Sequence, residues 1–180
     1  MIIIGYQGIG KSTCCSERTE FIDLESSSFW VDGKRDPNWY IVYAQIAEHL
    51  SKQGYVVFTS SHQALRDYLR NSIEQVVEIY PSLELKEKWL RRLKYRLITT
   101  PNEKNKRAFE GAVNYYNDNI KSFMSDRNHS MYLELRTVNY KLEDVVDSID
   151  EVFEIWNTNG LMHPLKNRLY YTEEGNVFSM

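Results

Sequence analysis

The run Ile2-Ile3-Ile4, followed at once by Gly5-Tyr6-Gln7-Gly8-Ile9-Gly10-Lys11-Ser12, constrains the fold more than any other part of the chain. Three β-branched residues in a row suit a strand buried on both faces, as parallel sheets require. The next eight residues match G-x-x-x-x-G-K-[ST] at every fixed position, and Thr13 follows. Glycines let such a loop turn tightly and bring successive amides toward a phosphate chain without Cβ obstruction. A helix starting at Lys11 would add unsatisfied donors and a partial positive charge. Lys11 is expected to bridge phosphate oxygens as a point charge, Ser12 to ligate Mg2+, and Thr13 to reach the innermost phosphate. Gly5, Gln7, Gly8, Ile9 and Gly10 complete the expected cradle.

The length of 180 residues fits one domain, with 42% hydrophobic and 26% charged residues, enough for a sizeable core. No stretch of about 18 apolar residues occurs, which excludes a helical membrane span. The apolar segment opens the chain directly, with no basic stretch ahead of it to make a secretory leader. Cys14 and Cys15 are neighbours, a poor arrangement for a structural disulfide and too few for a four-ligand zinc site, so a reducing cytoplasm is the expected setting. Net charge is −3 and the isoelectric point about 5.8, without the basic balance of a dedicated nucleic-acid binder. Any anion site must therefore be local.

Further strands read at Phe21–Leu24, Tyr55–Phe58, Val76–Tyr80 and Met131–Leu135. Between them, Trp39, Tyr43, Ile46 and Leu50, with Tyr40, Ala44 and Ala47, fall at helical spacing from Pro37 to about Gln53, with Asp36 as a cap and Gly54 as the stop. Ala64, Leu65, Tyr68 and Leu69 mark a helix after Thr59-Ser60-Ser61. Ser82 is expected to cap a basic helix through about Leu97, and Thr100-Pro101-Asn102-Glu103 has capping-box residues for another running to about Ser125. Leu142, Val145, Val146, Ile149, Val152, Phe153 and Trp156 form the best apolar stripe in the chain. Alternation of strand and helix predicts an α/β layered fold with a parallel sheet covered on both faces. Residues 1–156 are read as the domain and 157–180 as a tail with a hairpin around Glu174-Gly175, after a linker Asn157-Thr158-Asn159-Gly160.

Asp23 and Glu25, two apart at the end of the second strand, point to one face at the carboxyl edge, where open α/β sheets bind ligands. Asp23 could hold a metal-bound water and Glu25 a small acceptor. From Lys86 to Arg96 there are six cations and one acid; Arg92 and Arg96, four apart, share a helix face and can converge on one polyanion. Phe29, together with Trp30, offers an aromatic surface beside the acids.

These residues together resemble the P-loop nucleoside and nucleotide kinase group, which includes adenylate, thymidylate, shikimate and gluconate kinases. The compact size also resembles small bacteriophage kinases of deoxynucleoside monophosphates. The resemblance implies a three-layer fold with a five-stranded parallel sheet in the order 2-3-1-4-5. It implies a lid-like helix at about 82–97, whose Arg92-Leu93-Lys94-Tyr95-Arg96 matches R-[hydrophobic]-x-x-R, and an acidic pair at Asp23 and Glu25. The function so implied is a cytoplasmic, Mg2+-dependent phosphotransferase that moves the γ-phosphoryl group of ATP to a small acceptor, a nucleoside monophosphate first. Lys11, Asp23, Arg92 and Arg96 would act in catalysis, Ser12 and Asp23 on the metal, and Glu25 and Phe29 on the substrate. The expected partners are small nucleotides, not a membrane or a nucleic acid, with a homodimer left open. The turn Thr59-Ser60-Ser61-His62 carries no aspartate for a Walker B acid. That departure leaves a nucleotide-binding regulator or slow NTPase as the alternative, and a polynucleotide end kinase guided by the basic helix as a third.

Overall fold

β1 (Ile2–Gly5) is buried along its whole length, as three consecutive isoleucines require. The computed structural model describes residues 1–72, 74–125, 131–158, 168–175 and 177–179. They fall into two compact units, 1–78 and 79–180.

In the first unit, α1 (Lys11–Glu17) follows the glycine loop and leads to β2 (Phe21–Asp23). A 3-10 turn at Ser26–Phe29 then enters a two-stranded ribbon, β3 (Trp30–Val31) and β4 (Lys34–Arg35). Its turn is Asp32-Gly33, with φ of 49° and 73°. Two positive φ values in succession define the hairpin turn that an Asp-Gly pair favours. α2 (Trp39–Lys52) precedes β5 (Val56–Thr59), and α3 (Gln63–Leu69) follows it. β5 lies parallel to both β1 and β2, with Ile3 and Ile22 opposite Phe58 and Val57. α2 buries Tyr43, Ala44 and Ala47, whereas Ile46 is exposed. Tyr43, Ala44 and Ala47 of the spacing read in the sequence thus make its inward face, and the small alanines let the helix approach the sheet closely.

β6 (Val76–Pro81) begins in the last residues of the first unit and continues into the second, where it runs through a 3-10 turn at Leu83–Leu85 into α4 (Lys86–Thr99). α5 (Glu103–Ser125) packs on α4 and is followed by β7 (Met131–Leu135), α6 (Leu142–Thr158), β8 (Arg168–Tyr171) and β9 (Val177–Ser179). Asn102 caps α5 in place of Thr100: its Oδ1 accepts the Asn105 amide at 2.8 Å, and Asn105 Nδ2 donates to Thr100 O at 2.6 Å. Tyr80 stacks on Phe123 and Tyr132 at 5.0 and 5.9 Å, and Trp89 is fully buried. The α6 stripe of Leu142, Val145, Val146, Ile149 and Phe153 faces inward, as its spacing predicts. The tail hairpin forms as β8 and β9, although Asn159 and Gly160 of the expected linker lie outside the described residues.

The sheet corrects the expected topology. It has seven strands in the order β2-β5-β1-β6-β7-β8-β9, and β3 pairs only with β4 in a separate antiparallel ribbon. Six strands, β2 across to β8, are parallel and β9 is antiparallel. A five-stranded sheet in the order 2-3-1-4-5 is therefore not the sheet of this chain. The physical reason lies at β7, whose outer edge is taken up by β8 in parallel register, Leu133 opposite Leu169 and Leu135 opposite Tyr171. β9 then returns over β8 through the Glu174-Gly175 turn, so the apolar Leu169, Tyr170 and Tyr171 are covered and the exposed edge becomes a three-residue strand. The likeness to the P-loop kinase group does not extend to this architecture.

The polar residues Arg66 and Glu78 are 3% and 1% exposed in the first unit, with Arg66 Nε 3.9 Å from Glu78 Oε2. Arg66 also donates to Ser61 O at 2.9 Å, and so holds the turn after β5. Removing either charge breaks a contact between two groups that are both buried. Glu78→Ala should destabilise the fold by about 3–5 kcal/mol in urea unfolding, and the double replacement Arg66→Met, Glu78→Leu by much less.

Candidate functional site

The glycine loop sits at the carboxyl end of β1, where successive parallel strands end and polar groups converge. Gly8 and Gly10 have φ of 84° and 109°, and Gly10 is the left-handed residue from which α1 starts. An alanine at Gly10 would place its Cβ against the following carbonyl, at a cost of roughly 1–2 kcal/mol. Gly5 is required for a different reason. A Cβ there would stand 2.4 Å from Ile9 Cδ1, and Ile9 is itself fully buried beneath the loop.

The loop curls onto its own frame. Lys11 Nζ donates to Gly5 O at 2.9 Å, and the Thr13 and Cys14 amides donate to Gly10 O at 3.1 and 3.0 Å. The Ile9 amide donates to Tyr6 O at 3.4 Å. Among the described residues, the amides of Gly8 and Gly10 donate to no other group. Ser12 Oγ donates to Asp23 Oδ2 at 2.7 Å, which ties the start of α1 to the end of β2. Two hard oxygen donors so placed suit Mg2+, which takes one or two protein oxygens and fills its remaining positions with water or phosphate. No group of three or more His, Cys, Asp or Glu side chains fit to hold a metal occurs among the described residues. An all-protein cage is therefore not on offer there. α1 is only seven residues long, so its dipole adds less than a full-length helix would.

Cys15, half-buried next to this pair, has its thiol pushed up to about 11 by burial first and by the Asp23 carboxylate second, with Lys11 opposing. It stays protonated at neutral pH and is no nucleophile.

Beside Asp23, the turn from Leu24 to Phe29 meets α2 and the end of β5. Tyr43 hydroxyl donates to Leu24 O at 2.6 Å and accepts the Ser60 amide at 3.0 Å, so one side chain joins the two strand ends. Burial raises this phenol to about 12, which keeps it a donor throughout the neutral range. Phe29 lies against Tyr43 at 5.4 Å and Trp39 at 5.8 Å. Arg35 Nη2 donates to Ser26 O at 2.5 Å, and its guanidinium is layered over Trp30 at 4.8 Å and Trp39 at 4.1 Å. His62 meets the edge of Trp39 at 5.0 Å, with Nε2 3.4 Å from Ser26 Oγ.

The structure thus brings Gly5, Gln7, Gly8, Ile9, Gly10, Lys11, Ser12, Thr13 and Asp23 together, with Glu25 two residues past β2 and Phe29 in the aromatic cluster. Arg35 was missed, and His62 reads from the sequence as a first-turn surface histidine outside the catalytic set. The Asp-Gly turn that sets Arg35 between two indoles is a readable hairpin signal. Arg92 and Arg96 belong to the second unit. Arg92 lies over Trp89 and Tyr140 at 5.4 and 5.1 Å and donates to Val138 O at 3.4 Å, while Arg96 sits in the last turn of α4.

No protein-family model matches the chain, and no curated protein matches it either. The seven-stranded sheet removes the support for a kinase. Transfer of a γ-phosphoryl group to a nucleoside monophosphate, expected from the phosphate loop, the carboxyl-edge acids and the basic helix, needs a five-stranded kinase core that this chain does not have. The phosphotransferase reading, and the kinase, Walker A and ATP-binding descriptions attached to it, are corrected accordingly. Among the described residues no helix is long and apolar enough to cross a membrane.

His62 is held below its ordinary value by partial desolvation first and by the Arg35 cation second. The folded chain therefore refuses a proton that the unfolded chain takes up as pH falls below about 6.5. Stability should drop between pH 7.5 and 5.5 in urea titrations, and His62→Gln should remove that part of the slope.

Proposed function

We propose that residues 5–13 and Asp23 form a binding site for a phosphate-bearing small ligand taken up together with Mg2+. The observation that carries this reading is the pair of glycine amides without a partner beside Lys11 and the Ser12–Asp23 couple. Polar N–H groups at a concave turn gain most from an anion that replaces water. Lys11 supplies a full charge on a stem long enough to leave the Gly5 carbonyl for a phosphate oxygen. Ser12 and Asp23 supply one hydroxyl and one carboxylate to the cation, and the ligand's own oxygens supply further positions. Inorganic tripolyphosphate and pyrophosphate are members of this ligand class. The reading is one of binding, and no group transfer is part of it.

Titration calorimetry with tripolyphosphate and with pyrophosphate, each with and without Mg2+, tests it. Binding should be saturable and tighter with the metal. Lys11→Ala should weaken every polyphosphate at least tenfold, since a charge-assisted hydrogen bond contributes about 1.5–3 kcal/mol. Asp23→Asn should abolish the metal-dependent gain while sparing metal-free binding. Absence of heat with both ligands would refute the proposal.

A further inference from the structure

Between Lys86 and Arg107 the chain carries nine cations and two acids, while the remainder carries 13 cations against 23 acids. This segregation lies in one helical hairpin, because α4 and α5 pack on each other. On α4, Trp89 and Leu93 are buried, so the opposite stripe is Glu87, Lys88, Arg91, Lys94, Tyr95 and Ile98, all of them exposed.

Among the described residues, Lys88, Arg91 and Lys94 meet no carboxylate. The acids that could neutralise them are occupied or insufficient. Glu84 turns back on its own amide first and on the Ser82 hydroxyl second, both of which hold its pKa below the ordinary range. Glu103 faces Arg107, which leaves Glu87 as the single acid on the stripe. Three cations therefore stand free over about 9 Å of helix. Tyr95 stands among them with 71% of its surface exposed and no ring neighbour among the described residues.

We propose that this stripe of α4 binds single-stranded nucleic acid, with phosphates on Lys88, Arg91 and Lys94 and an unstacked base on the ring of Tyr95. Cations interleaved with a free aromatic face are what an unpaired strand needs, because its charge repeats along the backbone and every base offers a π-face. A duplex hides those faces. An anionic bilayer would call for a continuous apolar stripe on the same helix, where α4 presents Ile98 alone beside the tyrosine. An acidic peptide would satisfy the cations and leave Tyr95 unused. The proposal stands on residues of the second unit and is independent of the phosphate-ligand site in residues 1–78.

Fluorescence anisotropy of a labelled oligothymidylate of about a dozen residues, within the usual footprint of strand-binding modules, tests the proposal on the full chain. Saturable binding at low salt is expected, weakening as salt rises. Each neutralised phosphate on a single strand contributes about −0.7 to the log–log slope, so joint Lys88→Ala, Arg91→Ala and Lys94→Ala should flatten it by about 2. Tyr95→Ala should weaken binding at least fivefold, while Tyr95→Phe should bind like the parent chain. That contrast separates stacking from a structural role of the tyrosine. Any one of four results would overturn the proposal: no binding at low salt, an unchanged slope in the triple variant, equal losses for the two Tyr95 variants, or equal affinity for a duplex, polyglutamate or phosphatidylserine vesicles.

Discussion

The parallel pairing of β1 with β5 is the constraint on which the first unit depends. Ile2, Ile3 and Ile4 are fully buried, and their register against Val57, Phe58 and Thr59 fixes where both strands end. Because the glycine loop starts at the last residue of β1, the same register sets the height of Lys11 and Ser12 at the sheet edge. β2 comes to that edge through β5, which places Asp23 opposite Phe58 and within 2.7 Å of Ser12. A slip of one residue in the pairing would turn Asp23 to the other face, since strand side chains alternate. Tyr43 reinforces the register from α2 by joining Leu24 and Ser60 across the two strand ends.

The alternation of short apolar runs with amphipathic segments was enough to place nearly all of these elements from sequence. Val76–Pro81, Met131–Leu135 and the α6 stripe stand where their periodicity puts them, and the Glu174-Gly175 turn was readable as a hairpin. The number of strands in the sheet was not readable. Local periodicity reports which residues of a strand are buried, not what lies on its outer side, and β7 looks the same in sequence whether its edge is free or covered by β8. Expecting five strands meant taking a familiar arrangement to fill in what the residues leave open.

The candidate site shows the same division. Gly5 to Ser12 and Asp23 were legible because each is needed for a local reason: a positive φ, a close approach, or a short reach between strand ends. Arg35 escaped, and the setting of His62 was not readable, because their environment is made by distant residues. Trp30, Trp39 and Ser26 meet only when the ribbon folds against α2. Arg92 shows what helical spacing leaves out. Its spacing from Arg96 suggested a shared anion, yet its guanidinium is engaged with two aromatic rings and a carbonyl oxygen. Spacing on a helix identifies a shared face but not which groups that face already contacts.

Charge distribution explains why a chain with a net charge of −3 can still present a cationic surface. Had its 22 basic and 25 acidic side chains been mixed evenly, each free lysine would lie within about one Debye length of several carboxylates, and the field would largely cancel. Here nine of the cations are gathered into residues 86–107 with two acids, so the remainder of the chain, with 13 cations against 23 acids, is net negative. Outside the local amide and Lys11 site of residues 5–13, that acidic background disfavours the approach of a polyanion. Net charge therefore misjudges this chain, because a polyanion responds to the field within a Debye length of each surface rather than to the sum.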